Sequence, residues 1–272
     1  MIGFDAHVHV YDQVAAVGRV RYLPDRPAPL AGWLDLLAAH GLKGGVIVQV
    51  SFLGTDNRMM LDALERLDRS RFAGVAVVDT DAAAGELSGL RAAGVRGLRW
   101  NLVAGAPVPD PADPEVRRFL GRMRDAGLHL EIQLESSRLA PVLAPLARAA
   151  GGLVIDHLGL PEAADPAAEP WFRALAALPS DHGVHVKASA PYRSRVAVDG
   201  HVAWLAQRLG PDRILWGSDW PHTRHEARAA YRGLLDRLPP ILDDAAAAAR
   251  LYGLTATTAI GDQPAKNRHT AP

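Results

Sequence analysis

The sequence predicts a (β/α)8 TIM-type barrel, because eight short apolar runs alternate with amphipathic stretches over 272 residues and the chemically useful side chains fall where those runs end. The strand-like runs span residues 2–6, 45–50, 72–78, 95–100, 129–134, 153–156, 184–188 and 214–216. They are apolar or β-branched on both faces, as parallel strands covered on both sides require. Residues 57–68, 114–126, 139–150, 201–209 and 225–238 read as helices. Thr55 precedes the first of these as an N-cap region, and Asp113 before Pro114 is an N-cap followed by a first-turn proline. Gly151-Gly152 stops the helix before it. With no repeat and no internal linker, a single domain is expected over residues 1–261. Within it, the Ala-rich stretch 245–249 belongs to a closing helix that ends near Tyr252. The polar, Pro-containing stretch 262–272 is expected to be a disordered tail.

Composition narrows the function classes. Apolar residues make up 49% and charged residues 22%, enough for a sizeable globular core. Thirty basic residues balance thirty acidic ones, which leaves no electrostatic footprint for nucleic acid or a membrane surface. There is no cysteine, so disulfides, a thiolate nucleophile and a zinc–thiolate site are excluded. Any metal must be held by nitrogen and oxygen. The start, Met1-Ile2-Gly3-Phe4-Asp5, lacks the pattern of a signal peptide, and no apolar run reaches membrane-spanning length. A cytoplasmic protein is expected, with homo-oligomerisation left open.

Barrel chemistry sits at the C-terminal ends of the strands. The first run ends in His7-Val8-His9, the sixth in Asp156-His157, and the eighth leads into Gly217-Ser218-Asp219-Trp220-Pro221-His222. Side chains alternate along a strand, so a spacing of two puts both first imidazoles on one face, as a metal clamp requires. A His-x-His pair alone also fits a chance pairing or a core histidine, and Asp219 alone fits a turn cap. Three separate strand ends each offering His or Asp favour a site made of His7, His9, His157 and Asp219. Three imidazoles and a carboxylate suit Zn²⁺, with Mn²⁺ as the second choice.

These motifs resemble the amidohydrolase superfamily, in its amidohydrolase 2 branch. The segments Arg21-Tyr22-Leu23-Pro24, Gly54-Thr55-Asp56-Asn57 and Gly97-Leu98-Arg99-Trp100-Asn101 are similar to those of the branch's lactonases of pyrone dicarboxylates and sulfomuconolactones. The resemblance covers nearly the whole chain. It implies a distorted (β/α)8 barrel and hydrolysis of a small anionic lactone by an activated water. It further implies His7, His9, His157 and Asp219 as the catalytic cluster, with Asp219 as general base. Tyr22, Ser51, Arg99, Arg193 and His222 fall at substrate-contact positions, His222 as a further catalytic group stabilising the oxyanion. Gln133 stands where a tyrosine is usual, and Leu53 where a histidine is. Ala104-Gly105-Ala106 and Leu160-Pro161 replace basic segments, which points to a substrate with one carboxylate or sulfonate instead of two. The chain also supplies no His after strand five and no Lys after strand four, so at most one divalent ion is expected. The resemblance leaves even that ion dispensable, with the histidines then polarising the carbonyl themselves.

A guanidinium binds carboxylate or sulfonate in a planar fork, which suits Arg99 and Arg193 to the substrate, the competing reading being structural ion pairs. Arg195 reads as solvated and Lys187 as one half of a structural pair. His40, His182, His201, His225 and His269 are expected to be solvated, and His129 and His185 to lie on the stability face. Trp100, Trp216 and Trp220 fit core packing or a pocket lining. Two other functions compete: a metal-dependent nonoxidative decarboxylase or hydratase of the same superfamily, and a noncatalytic barrel that binds an anionic metabolite. A phosphate-binding barrel lacks its glycine-rich loop after strands seven and eight.

Overall fold

The computed structural model describes residues 3–18, 20–237 and 244–255. Eight parallel strands pair in sequence order: β1 (Phe4–Val8), β2 (Gly44–Val48), β3 (Phe72–Ala76), β4 (Val95–Asn101), β5 (His129–Gln133), β6 (Leu153–Ile155), β7 (Val184–Ser189) and β8 (Ile214–Gly217). The ring closes just beyond the strands. Asp219 N donates to His7 O at 2.8 Å, His9 N donates to Trp220 O at 2.8 Å, and Val8 bridges Trp220 in parallel. This is the distorted barrel that the alternation predicts.

The helices are α1 (Leu30–Ala39), α2 (Arg58–Glu65), α3 (Ala84–Ala92), α4 (Pro114–Asp125), α5 (Ser136–Leu139), α6 (Leu143–Ala150), α7 (Pro170–Ala176), α8 (Asp199–Leu209), α9 (Tyr231–Asp236) and α10 (Asp244–Tyr252). The α4 cap forms as expected, with the Asp113 carboxylate accepting from Glu115 N at 2.7 Å. Two helix expectations need correction. The stretch 139–150 is interrupted between α5 and α6, where Pro141 has no N–H to donate. The stretch expected to start at His225 is helical only over α9. The residues ahead of it form turns, with His222 and Arg224 at φ of 63° and 69°. Residue 238 and the stretch 262–272 lie outside the described residues. Helices α1, α3 and α7 were not singled out by periodicity.

Two apolar layers hold the strands. Outside the ring, Trp33, Leu37, Phe119, Leu146, Trp171 and Leu205 fill the space between sheet and helices. Trp100 and Trp216 pack in this layer, so for them the core reading holds. Inside, Phe4, Ala6, Val46, Val48, Val75 and Leu215 pack on Ala247 and Tyr252 of α10. Each fully buried Val, Leu or Phe side chain among them contributes roughly 1.5–3 kcal/mol. The Asp244 carboxylate accepts from Gly3 N at 2.8 Å and Phe4 N at 2.9 Å, which seats α10 across the N-terminal end of the barrel. The opposite end is left for chemistry. Among the described residues no helix is long and apolar enough to cross a membrane.

Candidate active site

The strand ends deliver the predicted groups to one place. His7 lies within β1 and His9 one residue past it, where the register with β2 shifts between Asp5 and Val8. His157 follows β6 at φ 52°, and Asp219 follows β8 at φ 58°. Non-glycine residues rarely adopt this left-handed region, and each instance costs about 1–3 kcal/mol unless its surroundings impose it. Here the hydrogen bond from Asp219 N to His7 O imposes it on the carboxylate. Gly217 allows β8 to come this close, since a Cβ there would lie 2.6 Å from His7 Cβ.

Three imidazole nitrogens face one carboxylate oxygen. The Nε2 atoms of His7, His9 and His157 lie 3.8, 3.6 and 3.9 Å from Asp219 Oδ1. Their other nitrogens point away to second partners. His9 Nδ1 lies 2.8 Å from Val48 O, a pure acceptor, so that nitrogen carries the proton and leaves Nε2 its lone pair. His157 Nδ1 lies 2.8 Å from Ser189 Oγ. His7 Nδ1 lies 3.3 Å from Asp156 Oδ1 and 3.5 Å from Lys187 Nζ. His7 Nε2 and Asp219 Oδ1 are buried and have no protein hydrogen-bond partner, an arrangement that calls for a bound group. A set of three nitrogens and one oxygen, each oriented from behind, fits one small divalent ion. Ligand atoms of His7, His157 and Asp219 all lie within 4.8 Å of one another, with His9 outside that mutual set.

His7, Glu131 and Asp156 form a second buried cluster with ligand spacing. It is filled by a side chain, because Lys187 Nζ lies 2.6 Å from Glu131 Oε2 and 3.7 Å from Asp156 Oδ1. That is the structural pair expected of Lys187. Its ammonium leaves no room there for a second ion.

Burial sets the protonation states. It pushes His7 down to about 3 and His157 well below the imidazole range, so both are neutral. Burial is the largest influence on Asp219 and opposes its charge, but the Arg193 guanidinium together with the surrounding imidazoles outweighs it and holds this carboxyl well below its ordinary value. Stability should therefore fall in acid. His7, His157 and His185, the last pushed down to about 4 by burial, stay neutral in the native state, whereas the unfolded chain takes up protons near 6.5. Their contribution is complete above pH 6.5 and is lost as pH falls from 6.5 towards 4. Asp5, pushed by burial from 3.8 to about 6, opposes the trend over that interval. Three imidazoles outweigh one carboxyl. The guanidinium midpoint of metal-free protein is thus expected to be lower at pH 5 than at pH 7, and an equal or higher midpoint at pH 5 would contradict these states.

A cavity of 510 Å³ opens above the cluster. His9, His157 and Asp219 line it together with Tyr22, Ser51, Arg99, Gln133 and Arg193, so the structure gathers nearly every predicted site residue. His7 lies beneath, fully buried. His222 does not line the cavity; its ring packs edge-on to Tyr192, with centroids 6.1 Å apart. Trp220 is only partly buried and does not line it either. Ser51 Oγ donates to Tyr22 Oη at 3.3 Å. For the arginines, the ion-pair reading and the lining reading hold together. Arg99 Nε donates to Asp156 Oδ2 at 2.8 Å and Nη2 to Gln133 Oε1 at 2.6 Å. Arg193 Nε donates to Asp219 Oδ2 at 2.8 Å, as does the Tyr192 hydroxyl.

The solvated reading of the remaining histidines is corrected. His201 is fully buried against Ala163 O, and His40 is half-buried, stacked on Tyr231. His182 is half-buried, and His225 lines the cavity. His269 lies outside the described residues. Arg195 is exposed as expected. Sequence reasoning passed over Tyr192, Ser189, Arg21 and Arg224. Tyr192 and Ser189 stand in the run that holds Lys187 and Arg193, and that adjacency was the available signal.

A family model described as amidohydrolase matches residues 4–261. The chain belongs to the amidohydrolase family. This amidohydrolase is 31% identical over 255 residues to a 2-pyrone-4,6-dicarboxylate hydrolase of Comamonas testosteroni, covering 87% of this chain and 83% of the relative. It is 31% identical over 229 residues to a 4-sulfomuconolactone hydrolase of Rhizobium radiobacter, covering 81% and 76%. A crystal structure from Acinetobacter baumannii, assigned as a probable 2-pyrone-4,6-dicarboxylic acid hydrolase with citric acid bound, superposes with a TM-score of 0.80. Its identity is 29%, over 93% of this amidohydrolase and the whole of that chain.

Proposed function

We propose that this amidohydrolase opens a small anionic lactone by hydrolysis. The observation that carries the reading is the convergence of the His7, His9 and His157 imidazoles on the unpartnered Oδ1 of Asp219, at the floor of an arginine-lined cavity. The named relatives act on lactones, which supports the same class here. A lactone carbonyl seated over the floor is attacked by water. The water proton goes to Asp219 Oδ1, a transfer typically contributing ~10²–10⁴-fold. The tetrahedral oxyanion collapses, the ring C–O bond breaks, Asp219 returns its proton to the ring oxygen, which leaves as an alcohol or enol, and the new carboxylic acid gives up its proton to solvent.

Arg99 and Arg193 supply directed N–H groups to the reacting ester, because Nη1 of each has no protein hydrogen bond among the described residues. Tyr22, Ser51 and Gln133 bound the ring, and His222 serves the site through Tyr192. His7, His9, His157 and Asp219 would hold one Zn²⁺ or Mn²⁺. Such an ion polarises a carbonyl and acidifies water from about 15.7 to about 7. That acidification matters for a base as weak as Asp219. Without it, the His9 and His157 rings face the carbonyl directly.

A panel of muconolactones, sulfolactones and sugar lactones, followed with a pH indicator, tests the reading. One proton should be released per ring opened. Carbon dioxide release from hydroxybenzoic acids, with every lactone left intact, would replace it with a decarboxylase.

A further inference from the structure

Charge in the cavity is divided by depth. On the floor three cations, Arg99, Arg193 and Lys187, face three carboxylates, Asp156, Asp219 and Glu131, each cation in direct contact with a carboxylate. Each of these guanidinium and ammonium groups is already matched by a carboxylate, which leaves the unmatched cations of the cavity to its mouth. The remaining charged lining residues are Arg21, Arg224 and Glu135. Glu135 is taken by Arg138 at 2.8 Å and by Ala104 N at 2.8 Å. Arg21 and Arg224 are exposed, and among the described residues neither forms an ion pair; Arg21 donates only to Val103 O at 3.2 Å. Arg224 lines the cavity from a turn, with φ at 69°.

Resting on the lactone reading above, we infer that Arg21 and Arg224 at the cavity mouth bind the anionic substituent of the substrate, which makes them the specificity-determining cations of this site. The paired floor arginines orient the ester; the unpaired rim arginines select the charge. The accepted lactone then carries its carboxylate or sulfonate on the side of the ring away from the scissile carbonyl. A second anionic group near the carbonyl would find Arg99 and Arg193 already paired with carboxylates and would lie beside Asp219, so a monoanion is preferred over a dianion. Exposed charges at a rim are screened by salt within about 10 Å at 0.1 M, so KM for the anion should rise with ionic strength.

The experiment compares wild type with Arg21→Gln, Arg224→Gln and the double variant. Turnover is read on muconolactone, which bears one carboxylate, and on its neutral primary amide. Binding is read by calorimetry with citrate, an anion that cannot react. Each single substitution should lower the acid-over-amide selectivity in kcat/KM roughly fivefold, as expected for a solvent-accessible charge contact. The double variant should do so by more and should weaken citrate binding in parallel. Arg224→Lys should restore part of the selectivity. Selectivity and citrate affinity both within twofold of wild type in the double variant would overturn the assignment. Should wild type open no lactone while citrate binding still weakens in the double variant, the rim site stands and the lactonase reading falls.

Discussion

Asp219→Asn should lower kcat by roughly 10²–10⁴-fold, the range for loss of a positioned proton acceptor. Asparagine is the informative replacement because it keeps the shape and shares with aspartate a tolerance for the left-handed backbone at φ 58°. Its amide accepts hydrogen bonds but takes no proton from water. The Tyr192 hydroxyl can still donate to the amide oxygen, so the cavity wall stays in place. Asp219 has two roles in the proposed function, as base and as the oxygen donor of the metal-binding set, and metal content separates the two. Wild type purified without chelator should contain no more than one equivalent of Zn or Mn. Lost turnover with metal retained assigns the effect to proton transfer, whereas loss of both assigns it to ion binding. Retained citrate binding in the inactive variant identifies an enzyme and excludes a simple metabolite receptor. Turnover within tenfold of wild type would remove Asp219 from the chemistry.

The strands and the floor of the site were legible because their signals are local. A parallel strand buried on both sides is mostly apolar, so the runs announced themselves even where Glu131 and Lys187 interrupt them, and the polar residues that end them announced the candidate site. His7, His9, His157 and Asp219 all stand at such ends and all converge. What stayed hidden depends on partners far along the chain. That Arg99 is paired follows from Asp156, 57 residues away, and nothing near residue 99 reveals it. That Arg224 lines the cavity depends on a turn with a positive φ, which residue type does not demand. His201 looks like a surface helix residue until the loop carrying Ala163 covers it. The helix expected from residue 225 failed for a related reason. Periodicity detects an amphipathic face, but the chain there turns to bring His222, Thr223 and His225 against the site.

Lys187→Met should cost about 3–5 kcal/mol of stability, the range for removing one partner of a buried ion pair. Lys187, Glu131 and Asp156 are all fully buried, and Met keeps the length of the chain while deleting the charge. Glu131 would keep its hydrogen bonds from the Tyr252 hydroxyl at 2.5 Å and with His129 Nε2 at 3.1 Å, but would face no ammonium. The pH dependence identifies the cause. Burial opposes the Glu131 charge, yet Lys187 together with His129 outweighs it and holds this carboxyl below its ordinary 4.5. That contribution is present above pH 4.5 and fades as pH falls through the native value. The variant lacks it, so its deficit against wild type should be largest near neutrality and should shrink in acid. Adding Glu131→Gln removes the stranded charge and should recover part of the loss, because no uncompensated carboxylate then remains at that position. Urea midpoints of wild type, single and double variants at pH 7 and at a pH well below 4.5 check all three statements. A pH-independent deficit, or a double variant no more stable than the single one, would show that packing and not charge holds this layer. The consequence reaches the chemistry, since Lys187 Nζ lies 3.7 Å from Asp156 Oδ1, the oxygen 3.3 Å from His7 Nδ1, and the other nitrogen of that imidazole faces Asp219.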